Sequence, residues 1–298
     1  MVTNLQAYRD YLIKEKNYAL LTVNAYQKDI LSFQEFLINN HDHTSLESVS
    51  YPLIRSWIVF LVENKIANAT VNRKISSLKS FYKFLLKIRQ IEVNPLLKHK
   101  SLKTPKKVQI PFSEKEVETA LNTEQFSNDF EGIRNQLIVE LFYTTGIRRA
   151  ELINLKLSSV DFSNQTLKVV GKRNKERILP LLLCTKELLG KYLSVRAEEV
   201  KPVLSDVLIL SKTGNKISES FVYRLINDYF STVSLKVKKS PHVLRHSFAT
   251  HLLNNGADLN SVKELLGHAS LSSTQIYTHS SLAELKKVYQ DSHPRNQK

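Results

Sequence analysis

Apolar residues repeat at helical spacing through the first third of the chain. Two long repeats advance by alternately four and three residues: Tyr26, Ile30, Phe33 and Leu37, then Val71, Ile75, Leu78, Tyr82 and Leu85. This spacing places apolar side chains on one face of a helix. Shorter repeats within residues 5–12 and 54–61 predict two more helices, and no segment of residues 1–97 alternates as a strand does. The pattern predicts a small bundle of four helices.

The remaining two thirds are also mostly helical in pattern. Ser113 and Glu116 form a capping box, which marks the start of a helix. Apolar and polar positions alternate at Leu167–Val170 and at Arg177–Leu181, and the link GKRNKE between them predicts a β-hairpin. The run VLIL at 207–210 predicts one more short strand. The predicted fold is mainly α, with a helical N-terminal bundle and a mostly helical C-terminal domain that carries a small β-hairpin sheet.

Charge is distributed unevenly along the 298 residues. The formal net charge is +15, which favours a polyanionic partner. Residues 98–111 hold five lysines and no acidic residue, and Pro95, Pro105 and Pro111 bracket them. This stretch therefore reads as an extended basic linker. The predicted division is a helical domain at 1–97, the linker at 98–111 and a second domain at 112–298.

Other features exclude several protein classes. Cys184 is the single cysteine, so no intrachain disulfide can form, and it is expected to be a small buried residue. No apolar run approaches the roughly 18 residues of a membrane helix. The N-terminus MVTNLQAYRDYL lacks the apolar core of a signal peptide. A soluble cytoplasmic protein with no membrane partner is expected.

Residues 240–279 contain the densest set of chemically active side chains. Ser240 and Pro241 begin a helix that ends at Gly256, and a second helix ends at Gly267 before a short final helix. In the first helix, a buried stripe is expected from Leu244, Phe248 and Leu252.

His242 and Arg245 lie about 60° apart on this helix, away from the expected stripe. His268 follows Gly267, and Tyr277 comes nine residues later. Two imidazoles, a fixed cation and a phenol suit phosphoryl chemistry without a metal. Zinc binding by His242, His246 and His251 is the alternative, but there is no HExxH motif and no nearby cysteine, so no metal or cofactor is expected.

Three motifs together resemble the tyrosine recombinases, also called the phage-integrase family, and within it the bacterial Xer resolvases of chromosome dimers. The strings are TGIRRAEL at 145–152, VVGKRNKERILPL from Val169, and HVLRHSFATHLL with LLGH and Tyr277. The resemblance covers nearly the whole chain and implies these catalytic residues: Arg148, Lys172, His242, Arg245, His268 and Tyr277. It also implies that Glu151 orients the site. Arg173 stands where the family usually has glycine, and Arg149 is expected to be an exposed neighbour.

The resemblance also implies a role for each residue. Tyr277 attacks a DNA phosphate and forms a 3′-phosphotyrosine, while Arg148 and Arg245 clamp the non-bridging oxygens. His242 assists proton movement at the tyrosine, His268 donates a hydrogen bond to the phosphate, and Lys172 protonates the leaving 5′-oxygen. Lys175 and Arg177 are expected to hold DNA phosphate or to face solvent.

The resemblance also implies that the first domain contacts DNA. LTVNAYQKDI at 21–30 and residues 70–86 resemble the two family helices that enter the major groove. The residues predicted to bind DNA, including those of the linker, are Asn72, Arg73, Lys79, Lys83, Lys103, Lys106 and Lys107.

The implied partner is duplex DNA with two inverted half-sites, bound by a tetramer of this chain or of this chain with a second Xer protein. An FtsK-type DNA translocase is a further implied partner. The apolar face of Leu282, Leu285 and Tyr289 is expected to dock into a neighbouring protomer. Alternatives within this reading are a mobile-element integrase, a catalytically inactive DNA-binding relative and a type IB topoisomerase.

Overall fold

A computed structural model describes residues 3–105, 109–171, 174–236, 238–267 and 279–296. The chain divides into two compact units, Met1–Lys107 and Val108–Lys298. The boundary falls inside the stretch that the sequence assigns to a linker.

All regular secondary structure described in the first unit is helical. Its helices are α1 (Asn4–Asp10), α2 (Leu20–His41), α3 (Tyr51–Glu63) and α4 (Asn68–Lys87), with a π-helical turn at Tyr11–Glu15 after α1. Ile30, Phe33, Val71 and Leu78 are fully buried in its core, as the repeats predicted. The predicted four-helix bundle is confirmed.

The described part of the basic linker runs along the first unit. Leu96, two residues before the linker, is fully buried in that unit's core. The Asn72 side chain donates to the Leu102 carbonyl at 2.9 Å and accepts from the Leu102 N–H at 2.9 Å, and Asn68 donates to the Lys103 carbonyl at 2.9 Å. Up to residue 103 the linker is therefore fastened to α4 rather than free to span.

The second unit combines helices with one small sheet. It contains α5 (Glu114–Ala120), α6 (Phe130–Thr145), α7 (Arg149–Leu152), α8 (Leu183–Glu199), α9 (Glu219–Val233), α10 (Pro241–Asn254), α11 (Leu259–Leu266) and α12 (His279–Ser292). The predicted capping box is present, since the Ser113 hydroxyl accepts from the Glu116 N–H and Glu116 accepts from the Ser113 N–H. The mainly α fold class is confirmed.

The sheet is antiparallel in the order β1 (Val160–Asp161), β2 (Thr166–Val170) and β3 (Glu176–Pro180). The β2–β3 pair is the predicted hairpin, in a register that places Val169 opposite Arg177. The strand predicted at 207–210 is wrong, because Val207 and Leu210 make only isolated bridges, to Lys156 and Lys216. This run is instead a buried connection held by the Tyr192 hydroxyl, which donates to the Leu208 carbonyl at 3.1 Å.

Helix α12 packs against α10 and α11 of its own unit. Leu285 and Tyr289 are buried there, and the Tyr289 hydroxyl donates to the Thr144 carbonyl at 2.6 Å. Arg295 beyond the helix pairs with the buried Glu140 at 3.0 Å. The predicted apolar face is therefore covered within the chain, while the Leu282 side chain lies outside the described set.

Cys184, expected to be buried, is half-buried at the start of α8. Among the described residues, no helix has the length and apolar character that crossing a bilayer requires.

Candidate active site

A cleft of about 460 Å³ in the second unit brings together three of the predicted catalytic residues, Arg148, His242 and Arg245. Its other lining residues are Ile147, Arg149, Tyr223, Lys238, Ser240 and Pro241. The cleft thus lies where α7 and α10 begin, beside α9. Lys172, His268 and Tyr277 lie outside the described residues, so their predicted roles stay predictions.

A tight turn between α6 and α7 places Arg148 at the cleft. Gly146 ends α6 in the left-handed conformation, with φ of 57°, and Arg148 is extended as the N-cap of α7. A Cβ atom on Gly146 would lie 2.4 Å from the Phe248 ring. Glycine is required here for both its conformation and the close approach of Phe248.

Helix α10 supplies the other two residues from different depths. The Ser240 hydroxyl caps the helix, and His242 in the first turn is exposed. Arg245 is only 7% exposed, because α10 is buried around most of its circumference rather than along the single predicted stripe. The guanidinium of Arg245 is therefore more deeply buried than the sequence pattern predicted.

Three arginines converge on the C-terminal end of α11. Arg177 Nε donates to the Leu265 carbonyl at 3.0 Å, Arg245 to the Leu266 carbonyl at 2.6 Å, and Arg148 to the Gly267 carbonyl at 3.1 Å. A helix leaves its last carbonyls without partners inside the helix, and its dipole makes that end negative. The end of α11 therefore supplies consecutive acceptors that fix three guanidinium groups.

Glu151 ties two of these arginines together. It accepts from Arg148 Nη1 at 2.8 Å and from the Arg148 backbone N–H at 2.9 Å. Arg177 binds both of its carboxylate oxygens, at 2.9 and 2.8 Å. Although burial opposes it, hydrogen bonding and charge from Arg177, and then from Arg148, lower the Glu151 pKa to about 2. Glu151 is therefore a carboxylate at neutral pH.

Arg177 is not the DNA-facing or solvent-facing residue that the sequence predicted. It is buried in an ion pair with Glu151. The signal that would have found it is the period of two in β3, where Arg177 and Leu179 both point inward. Arg149, by contrast, is partly exposed, as expected, and pairs with Glu219.

The charges around Arg245 and His242 shift their pKa values. Burial, and then the positive charges of Arg148 and Arg177, lower the pKa of Arg245 to about 9, so the group is still a cation at neutral pH. Partial burial of the ring, followed by the positive charges of Lys238 and Arg245, lowers the pKa of His242 below its ordinary 6.5. His242 is therefore neutral at pH 7 and can accept a proton.

His251, one of the alternative zinc ligands, has both ring nitrogens occupied. Nδ1 lies 2.9 Å from the Tyr143 hydroxyl, and Nε2 lies 2.8 Å from the Phe112 carbonyl. Its role here is to pack α10 against α6 and the start of the unit. In the described part of the chain, no three His, Cys, Asp or Glu side chains are grouped as metal ligands.

Two of the predicted DNA-binding residues, Asn72 and the exposed Arg73, already have partners within the first unit. Arg73 forms a two-bond pair with Asp29 at 2.5 and 2.9 Å, and Asn72 fastens the linker. Lys79, Lys83 and Lys103 are exposed. Lys106 and Lys107 lie outside the described residues.

Comparison with known families agrees with the motifs. The model of the phage integrase family matches residues 111–284, and that of the phage integrase N-terminal SAM-like domain matches residues 5–88. The chain belongs to the phage integrase family. Its predicted membership is confirmed.

Relatives within this family span nearly the whole chain. Tyrosine recombinase XerC of Anoxybacillus flavithermus is 40% identical over 294 residues, which covers 98% of this chain and 97% of the relative. XerC of Staphylococcus epidermidis is 39% identical over 292 residues, covering 97% and 96%.

Solved structures share the fold. The XerH recombinase bound to a palindromic difH substrate has a TM-score of 0.71 at 22% identity, covering 99% of this chain and 83% of that one. The Tn1549 transposon integrase with circular intermediate DNA has a TM-score of 0.70 at 19% identity, covering 95% and 99%. At these identities the structures establish the common architecture alone.

Proposed function

We propose that this chain is a site-specific tyrosine recombinase that cuts and rejoins DNA through a 3′-phosphotyrosine intermediate. The observation that carries the proposal is the cleft in which Arg148, His242 and Arg245 meet. Backbone carbonyls accept hydrogen bonds from the guanidinium groups of Arg148 and Arg245 and hold both cations at the cleft. The neutral imidazole of His242 lies in the same cleft. This combination suits a phosphate diester as substrate.

In this mechanism, Arg148 and Arg245 bind the two non-bridging oxygens and stabilise the charge that builds on them in the transition state. Tyr277 attacks phosphorus, and the 5′-oxygen leaves with a proton from Lys172. His242 accepts or directs the tyrosine proton, and His268 donates a hydrogen bond to the phosphate. The covalent bond to Tyr277 conserves the energy of the broken ester, so a second 5′-hydroxyl can reseal the strand without ATP.

Resolution of chromosome dimers at cell division, in the cytoplasm, is the proposed biological role. It is supported by XerC relatives that match the chain from end to end. A mobile-element integrase is the alternative within the same chemistry. An inactive DNA-binding relative is disfavoured because the sequence retains Arg148, Lys172, His242, Arg245, His268 and Tyr277.

The proposed partner is duplex DNA with two inverted half-sites. The exposed Lys79 and Lys83 of α4, with Lys103 of the linker, offer it positive charge. Assembly as a tetramer, with or without a second Xer protein, and activation by an FtsK-type translocase belong to the same proposal. Exchange of α12 between protomers would require Leu285 and Tyr289 to leave the positions that they occupy in this structure.

A covalent-adduct assay tests the function. DNA bound by the protein in cells is sequenced, and the recovered site is built into a nicked duplex whose cleaved end diffuses away. The full chain is expected to form a denaturant-resistant adduct, and Tyr277→Phe is expected to bind the duplex equally well and form none, because only the nucleophilic oxygen is lost. An adduct of the variant at the wild-type level would assign the attack to another residue.

A further inference from the structure

Arg177 joins three elements that surround Arg148. It lies on β3, binds Glu151 on α7 with two hydrogen bonds, and donates to the Leu265 carbonyl of α11. Its side chain also packs against the turn after α11, since a Cβ atom on Gly267 would lie 3.1 Å from Arg177 Cδ. Its position thus affects every element that holds Arg148.

Arg177 itself is not placed to touch DNA. Its side chain is 6% exposed, and all three of its nitrogen atoms already donate to protein oxygens. Arg148 differs, because its side chain is 41% exposed and its two terminal nitrogens each make one described hydrogen bond. Each terminal nitrogen carries two hydrogens, so Arg148 keeps donors for a phosphate.

The buried carboxylate of Glu151 explains why both arginines are present. Arg177 engages both of its oxygens, so Arg148 shares only one of them through its side chain. Without Arg177, Arg148 would be the only guanidinium on a buried anion, and a two-bond pair with it would be strongly favoured. That pairing would turn Arg148 away from the substrate.

Charge leads to the same conclusion. Arg148, Arg177 and Arg245 with the one carboxylate Glu151 carry a net charge of +2. Neutralising Arg177 lowers this to +1 at the place where negative charge grows on the phosphate during cleavage. Electrostatic stabilisation of this kind is commonly the largest contribution to catalysis.

We propose that Arg177 is a positioning residue for DNA cleavage: it holds Glu151 in a two-bond pair and thereby leaves Arg148 available to the scissile phosphate. This inference rests on the proposed function. It requires the adduct assay to work with the wild-type chain, and its own test compares variants with that chain.

Arg177→Met is the first variant, since it keeps the length of the side chain and removes the charge. Adduct formation is expected to slow by about 10- to 100-fold, the range found when the hydrogen-bond partner that orients a metal ligand is removed. Arg134→Met is the matched control. Arg134 is also buried in this unit and paired with a glutamate, Glu131, but it does not line the cleft. The control is expected to lose stability and keep its cleavage rate.

The double variant Glu151→Gln with Arg177→Met distinguishes positioning from folding. It restores the net charge to +2 and leaves an amide oxygen for Arg148, so cleavage is expected to recover to within about 10-fold of wild type. If Arg177 only supported the fold, a second substitution in the core would leave cleavage as slow as in the single variant or slower.

Arg177→Lys carries the test if Arg177→Met does not fold. Lysine keeps the buried charge but lacks the planar fork, so a folded protein with about 10-fold slower cleavage is expected. Wild-type cleavage rates in a folded Arg177→Met or Arg177→Lys, or no recovery in the double variant, would overturn the inference. Absence of an adduct with the wild-type chain would instead count against the proposed function.

Discussion

At the scale of single residues, His242 and Arg245 approach the same cleft from different depths. Arg245 is buried and fixed by the Gly146 and Leu266 carbonyls, whereas His242 is exposed in the first turn of α10. A buried guanidinium keeps one orientation and suits binding of charge. An exposed imidazole with a lowered pKa can exchange protons with solvent and suits proton transfer.

This difference predicts a pH profile. Because the pKa of His242 lies below 6.5, the neutral imidazole persists into mildly acid solution. Cleavage should fall only when the pH drops below the pKa of His242. Lys238 is one of the charges that lower the pKa, so Lys238→Gln should move the acid limb to higher pH. Rates of adduct formation measured between about pH 5 and 8 check this expectation.

His242→Gln provides the control for that experiment. Without an imidazole, the variant should be slow at every pH and should lack this acid limb. If the limb stays in place in His242→Gln, another group titrates and His242 is not the proton acceptor.

The motifs named residues that lie close together in the structure, whereas the sequence missed contacts that depend on the fold. The predictions for Arg148, His242 and Arg245 placed three side chains that the structure brings into one cleft. Arg177 was misread because a charged residue is usually exposed. Its true environment depends on Glu151, 26 residues earlier, and on a carbonyl 88 residues later. The period of two in β3 indicates that Arg177 points inward, but no local pattern identifies these two distant partners.

At the scale of elements, the turn between α6 and α7 controls the cleft. Gly146→Ala is expected to destabilise the protein by about 1–3 kcal/mol, because alanine meets both a left-handed backbone and the Phe248 ring. Cleavage should fall more than DNA affinity, since Arg148 follows two residues later. Thermal unfolding and adduct rates measure the two effects.

Gly190→Ala is the matched control for this substitution. Gly190 lies in α8, and a Cβ atom there would have no described neighbour within 4 Å. This variant should be as stable as wild type or more so, because alanine favours a helix over glycine. Equal effects of the two substitutions would show that the α6–α7 turn has no special role.

The elements also show where periodicity stops being informative. Helical repeats located α2 and α4 because one face of each helix packs on a core. The run VLIL is buried at all four positions, so nothing in its pattern tells a strand from a connection. A strand is defined by a ladder of backbone hydrogen bonds to a neighbouring strand, and this run makes only two isolated bridges.

At the scale of the whole molecule, the linker is expected to set the response to salt. Replacing its lysines at 98, 100, 103, 106 and 107 with glutamine should weaken DNA binding mainly at low salt. Each phosphate contact contributes about 0.9 to the slope of log affinity against log salt, so the slope should become shallower by up to about 4.5. Binding curves at several salt concentrations give the slope.

The matched control replaces the same five lysines with arginine. It keeps the charges and should keep the slope, whereas a general loss of folding would affect both sets of variants. The same slope for the glutamine set and the wild type would make the linker a passive tether between the two units.

The three carbonyls at the end of α11 have a consequence for how this sequence can vary. A side-chain acceptor can be lost by a single codon change, but the acceptors for Arg177, Arg245 and Arg148 are main-chain oxygens of residues 265–267. Drift in side-chain identity at Leu265 and Leu266 therefore leaves the acceptors intact, provided that the helix ends at the same residue. The vulnerable position is Gly267, which has a φ of 62° and lies close to Arg177. Natural variants that retain function should accordingly differ more often at Leu265 and Leu266 than at Gly267.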